Sequence, residues 1–281
     1  MAGSELSLVS LTPADVDAGL ALSGEAGWNQ TADDWALFIA QGRALGFRSA
    51  VGELVATSAA IVYGGRLGWL SLVLVAPDWR HRGLASLLMT ACVERLQASH
   101  VTPVLDATPA GEPVYRHFGF RPGLALTRWQ GEGGTVAPDP APEHRSAGSA
   151  DLEALVALDQ RANRLNRRVL LENLLQRDAT RAWTTHAGDG FAISRAGRRA
   201  RHIGPVAARG PAEAIDLLRT ALAETEGPVF LDVPDRWTEI ADFLVAAGFT
   251  RQRPFVRMAL GSAQPLTGSD QLFALAGPEF G

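Results

Sequence analysis

The stretch Arg80-His81-Arg82-Gly83-Leu84-Ala85 has the residue types and spacing most suited to chemistry. It opens a helical pattern that runs to about Gln97. The first turn of a helix leaves backbone N–H groups without partners, and the helix dipole favours a negative charge there. Gly83 removes the side chain where a phosphate must come close, and Ala85 keeps the next turn small. Arg80 and Arg82 can add charge-assisted hydrogen bonds. The chemistry is therefore anion binding. The Walker loop requires Gly-Lys-Ser/Thr and the dinucleotide loop Gly-x-Gly-x-x-Gly, and neither pattern stands here. The other reading is an ordinary strand–loop–helix joint with solvated arginines.

Other reactive residue types are scarce. All 26 cationic side chains are arginine, so a lysine Schiff base and self-acetylation on a lysine side chain are excluded. The six histidines show no i, i+4 pair and no cysteine partner, and no metal site is expected. Cys92 is the only cysteine and falls on the apolar face of the helix after the loop, together with Leu84, Leu87, Leu88 and Ala91. It reads as a buried, inert thiol.

The elements that must position the loop are legible around it. Leu67 to Val75 is apolar on both faces, with Leu67, Trp69, Val73 and Val75 on one side and Leu70, Leu72 and Leu74 on the other. This is the pattern of a central strand. Ala76-Pro77-Asp78 breaks it, so the loop joins the end of a buried strand to a helix N-terminus. Downstream, Val101 to Ala107 reads as a further strand, followed by a turn and by Val114-Tyr115-Arg116-His117-Phe118-Gly119-Phe120.

Arg-x-x-Gly-x-Ala followed by a tyrosine four residues before Gly-Phe resembles the GCN5-related N-acetyltransferases. The resemblance implies an acetyl-CoA-dependent N-acetyltransferase that passes the acetyl group directly to a small amine. It implies that backbone groups at Val73, Leu74 and Val75 pair with the pantetheine arm, and that this strand splays from the one at Val104. A donor near Leu74 would meet the thioester oxygen. The N–H groups from Arg80, His81, Arg82, Gly83, Leu84, Ala85 and Ser86 would hold the pyrophosphate. Tyr115 would be the general acid that protonates the departing thiolate. Many relatives place a Glu on the central strand, and here Leu67 to Val75 has none. Asp106 is the candidate base, against a turn or capping role, with a water relay to a backbone carbonyl as the fallback. Thr108 stands where the family often has Asn and is a candidate coenzyme contact. Trp28 and Asn29 lie where the family builds one wall of the acceptor site; the other reading of Trp28 is a staple between two helices. A non-catalytic sensor of CoA or acyl-CoA is the rival function.

The 281 residues, 47% hydrophobic and 20% charged, suggest about two packed domains. A net charge of −4 argues against nucleic-acid binding. No segment has the ~20 uninterrupted apolar residues of a membrane helix, and Met1–Glu5 shows no signal-peptide pattern. A cytoplasmic monomer or homodimer follows as the expectation. The expected fold is α+β, with α and β mixed: two tandem acetyltransferase-like domains, each a mixed, mostly antiparallel twisted sheet flanked by helices. The first spans 1–130, with strands at 6–10, Phe47–Val51, Glu53–Tyr63 and Leu124–Thr127, and helices capped at Thr12 and at Thr31 with Asp34. Residues 131–143, rich in Gly and then Pro, read as a linker.

Residues 144–261 repeat the pattern, with Phe230-Leu231-Asp232 and Ala247-Gly248-Phe249 echoing Val104-Leu105-Asp106 and Phe118-Gly119-Phe120. That copy is degenerate: Arg209-Gly210-Pro211-Ala212 replaces the phosphate loop, and Leu244 stands in the tyrosine position. The apolar tail 262–281 is expected to dock across the junction of the copies, where Asp159, Asp232, Arg257 and Arg164 to Arg168 are possible polar groups of an acceptor pocket.

Overall fold

Residues 6–41, 43–137, 144–262 and 266–281 are described by a computed structural model. The chain packs as two compact units that divide between Val104 and Leu105. This division falls inside a strand, well before the 131–143 segment.

The first unit contains β1 (Ser7–Ser10), α1 (Val16–Glu25), α2 (Ala32–Ala40), β2 (Ala44–Arg48), β3 (Leu54–Tyr63), β4 (Leu67–Val75), α3 (Leu84–Ala98) and the start of β5 (Thr102–Ala107). Its strands run in the order β1-β2-β3-β4-β5. All neighbours are antiparallel except β4 and β5. The expected cap at Thr31 forms, its N–H donating to Asp34 at 2.9 Å while the Asp34 N–H donates to its hydroxyl; at Thr12 the N–H and hydroxyl both donate to Asp15 ahead of a 3-10 turn, and its side chain accepts no cap bond. Gly19 lets α1 and α2 meet, since a Cβ there would stand 2.5 Å from the Trp35 ring. The Trp35 indole then donates to Ser23.

β2 ends earlier than its apolar pattern suggests. Ser49 and Glu53 close a tight hairpin with Gly52 at φ 84°, and Val51 sits 88% exposed at its tip. The stripe of α3 also differs: Leu88, Met89, Cys92, Val93 and Leu96 face inward and Leu87 is exposed. Leu96 covers Gly68 so closely that a Cβ there would stand at 2.5 Å.

The second unit continues from the end of β5 through α4 (Glu112–His117), β6 (Phe120–Gly133), β7 (His144–Ala147), α5 (Leu152–Asn163), α6 (Arg168–Leu175), β8 (Arg181–Thr185), β9 (Phe191–Arg195) and β10 (Arg201–Ala207). It closes with α7 (Pro211–Ala223), β11 (Gly227–Pro234), α8 (Thr238–Ala246), β12 (Thr250–Leu260) and β13 (Leu272–Ala274). Its strand order is β12-β6-β11-β10-β9-β8-β7, with β13 added to β10, and the end of β5 neighbours β12.

Here the linker reading needs correction at its start. Gly131 to Gly133 belongs to β6 and pairs in register with Gly227 to Val229 of β11. These glycines mark close approach, not looseness. A Cβ on Gly131 would meet the Phe249 ring at 2.6 Å, and one on Gly133 the Thr225 carbonyl at 2.2 Å. Residues 138–143 of the expected linker lie outside the described residues. The tail is docked, and its strand pairing lies wholly inside the second unit. Leu272, Phe273, Leu275 and Phe280 are all fully buried.

Candidate active site

β4 carries a defect that its sequence does not announce. Thr57 pairs with Leu74 and Ala59 with Ser71, so two residues of β4 oppose one of β3. This is a β-bulge. Leu72 takes a positive φ of 53° there, and the Thr57 hydroxyl donates to its carbonyl at 2.8 Å. On the other edge, β4 pairs with β5 only from Leu67 to Trp69. Among the described residues, no strand registers with Leu70 to Val75 on that side. Backbone groups of Val73, Leu74 and Val75 therefore lie along an edge fit for an extended ligand.

The loop after β4 begins with a short 3-10 turn at Pro77–Trp79. His81 and Gly83 both have positive φ, 60° and 77°, and Gly83 caps α3. A Cβ on Gly83 would meet nothing within 4 Å, so the space in front of the first turn of α3 is open. Each arginine uses part of its fork locally: Arg80 Nε donates to the Val75 carbonyl, and Arg82 Nη2 donates to that of Asp78 while stacking 4.7 Å from the Trp79 ring. A guanidinium has five N–H donors, so both retain some for an anion. Arg80, His81, Arg82, Gly83 and Ser86 are exposed, Ala85 is half-buried and Leu84 anchors the helix in the core. This donor set fits a diphosphate.

Tyr115 lies in the second unit, on α4. Its ring meets Phe120 edge-on at 6.2 Å and covers Gly111, where a Cβ would stand 2.9 Å from the ring. Burial pushes the phenol pKa up. Among the described residues its hydroxyl has no hydrogen-bond partner. Thr108 shapes the turn before α4, its hydroxyl and carbonyl both accepting from the Gly111 N–H.

Asp106 departs from expectation. Both its oxygens are taken by Arg257, at 2.8 and 2.9 Å, and its side chain is fully buried. Burial pushes its pKa up against the pull of Arg257. With each oxygen bonded to a guanidinium and the side chain buried, this carboxylate sits in an internal ion pair, a role that the sequence reading did not include.

Asp232 repeats the arrangement, with Arg128 at 2.8 and 2.7 Å. Burial pushes the Asp232 carboxyl up, and the Arg128 charge overcomes it, leaving the pKa below the usual value. Asp159 pairs with Arg167 and is likewise buried. These side chains are internal ion pairs, not the solvated or pocket groups expected. The signal for Arg128 and Arg257 was present, because Phe120 to Arg128 and Phe249 to Arg257 are equally spaced.

Trp28 and Asn29 sit in the turn between α1 and α2. The Trp28 N–H donates to the Ser23 carbonyl, Trp28 is half-buried, and Asn29 is 6% exposed. In the second copy, the joint between β10 and α7 is closed by its own acid: the Arg209 N–H donates to Glu213 at 2.7 Å, and Leu244 is in the core.

A bulged strand leads to an open helix N-terminus in the first copy, and the second repeats the strand–helix order with that joint closed. Two family models, each described as an acetyltransferase (GNAT) domain, match residues 34–122 and 155–274. The chain belongs to the GCN5-related N-acetyltransferase superfamily in its two-copy form, and it is an acyltransferase, which sets the sensor reading aside. It is similar to the uncharacterized N-acetyltransferase YitH of Bacillus subtilis, at 25% identity over 86% of this chain and 87% of that protein. Its fold is shared with a candidate acetyltransferase from Pyrococcus horikoshii, at TM-score 0.85 and 17% identity, covering 100% of this chain and 98% of the other. It is also shared with a tandem GNAT protein from the clavulanic acid biosynthesis pathway, at TM-score 0.64 and 16% identity over 91% and 98% of the two chains. No helix among the described residues is long and apolar enough to cross a membrane.

Proposed function

We propose that the first copy transfers an acetyl group from acetyl-CoA to a small amine, and that the second copy does no chemistry. The observation that carries this reading is the left-handed Gly83 at the start of α3, with open space before it. The first-turn N–H groups from Gly83 to Ser86, with Arg80 and Arg82, hold the pyrophosphate. The edge of β4 at Val73 to Val75 pairs with the pantetheine arm, and the Leu74 backbone is the donor nearest the thioester oxygen. Acetyl-CoA supplies an acetyl group already activated as a thioester. The chain holds the two reactants in line, and the new C–N bond forms as the C–S bond breaks.

Tyr115 returns a proton to the thiolate. A phenol is protonated at neutral pH, and burial raises its pKa further; among the described residues its hydroxyl has no hydrogen-bond partner, as suits an acid. Since Arg257 occupies Asp106, the amine loses its proton to solvent through a water held by a backbone carbonyl. Thr108 sets the turn that carries Tyr115, and Trp28 with Asn29 border the acceptor. The test is thiol release from acetyl-CoA across a panel of small amines. Acceleration by some amines over plain hydrolysis is expected; tight acetyl-CoA binding without any amine-dependent release overturns the reading.

A further inference from the structure

In the second copy, β10 and β11 are parallel neighbours only at Arg201 with Val229 and His202 with Phe230. Their pairing is even briefer than that of β4 with β5. Beyond it, the register of β10 shifts between Ile203 and Val206. The opening is filled by β13. Val206 pairs with Ala274 and Ala207 with Leu272 on one side. On the other, the Leu275 N–H donates to the Asp232 carbonyl at 2.9 Å, and the Trp237 indole donates to the Leu272 carbonyl at 2.6 Å. The tail is thus paired with β10 along β13, bonded to β11 by the residue after it, and buried, as a guest beside a sheet strand is.

The opening is built to fit backbone. A Cβ on Gly204 would stand 1.8 Å from the Leu275 carbonyl, which also receives His202 Nε2 at 3.0 Å. Phe273 stacks on Trp237 at 4.3 Å. Past the strand, the buried Arg195 pairs with Glu279 and lies 5.2 Å from the Phe280 ring. Before it, the Ser269 N–H donates to the Ala162 carbonyl at 2.7 Å.

We propose that the second copy is a peptide-binding module. Its site is the slot between β10 and β11, its ligand class is an extended apolar peptide with an acidic residue that reaches Arg195, and residues 266–281 fill it in cis. The strand lies where the first copy presents the edge of β4 proposed to take pantetheine, so the slot is closed to coenzyme and the chain takes one acetyl-CoA. That last correspondence rests on the proposed function; the peptide slot does not.

The test uses the full chain with a protease site inserted between Ser262 and Leu266. After cleavage, the 266–281 peptide is expected to stay with the folded body through gel filtration, and millimolar acetyl-CoA should not displace it. Cleaved Glu279→Ala should release the peptide about 10²-fold faster, because one partner of a buried charge pair is gone. A cleaved chain that sheds the peptide at once, displacement by acetyl-CoA, or equal release rates in the two versions overturns the proposal. Retained peptide in a chain that binds no acetyl-CoA upholds the slot and sinks the coenzyme reading of the first copy instead.

Discussion

Tyr115 and Asp106 stand close in sequence, and their surroundings differ. The tyrosine has a half-buried ring and, among the described residues, a hydroxyl without a hydrogen-bond partner, and removing that hydroxyl should slow turnover while leaving coenzyme binding alone. Tyr115→Phe is expected to lower kcat by roughly 10²–10⁴ with acetyl-CoA affinity nearly unchanged, as measured by thiol release and calorimetry. A loss of only a few-fold would make Tyr115 a structural residue. Asp106 has both oxygens on Arg257. Asp106→Asn removes the counter-charge of a buried guanidinium, which costs about 3–5 kcal/mol, or roughly 10 °C in melting temperature. The folded fraction should keep its kcat; a collapse of kcat without thermal destabilisation would restore Asp106 as the base.

At the scale of elements, the bulge in β4 and the left-handed start of α3 together shape the proposed coenzyme side. Both were half visible. Leu67–Val75 and the helix after Gly83 follow from apolar pattern and loop chemistry, and β4 keeps the expected bounds. The bulge at Leu72 did not, because it arises from register against β3, where Thr57 binds the Leu72 carbonyl. At Gly83 the φ of 77° strains any residue with a Cβ by about 1–2 kcal/mol. Gly83→Ala should therefore cost a little stability and, by projecting a methyl into the open space, weaken acetyl-CoA binding by at least about tenfold. Calorimetry showing unaltered affinity would remove the loop from the coenzyme site.

At the scale of the whole molecule, the two sequence copies exchange their clamps. Asp106 of the first is held by Arg257 of the second, and Asp232 of the second by Arg128 of the first. His202 lies among these charges, 3.8 Å from Asp232 and also facing Arg195 and Arg128, and its pKa is lowered to about 4, mainly by burial. It is neutral in both folded and unfolded states above its ordinary value of about 6.5. Between about 6.5 and 4 the unfolded chain binds the proton first, so stability falls as the pH drops through that window, by about 3 kcal/mol in all. Denaturant midpoints measured from pH 7.5 to 4 should show this slope, and His202→Gln should flatten it. Equal slopes in both proteins would show that His202 does not carry it.

The sequence by itself determined the order of nearly every element, the two-copy repeat and the glycine at the start of α3. Local rules act there: apolar period, capping residues, and a glycine at a helix start. Only the tertiary structure decided what depends on partners distant in the chain. Gly131 and Gly133 read as a loose linker until Phe249 and Thr225 are found packed against them. Asp106 read as a base until β12 brings Arg257 to both its oxygens. The tail read as a patch over a junction until β13 is found paired with β10 and Leu275 bonded to β11. In each case the residue type shows what it can bind, and the pairing of strands far apart in sequence decides what it does bind.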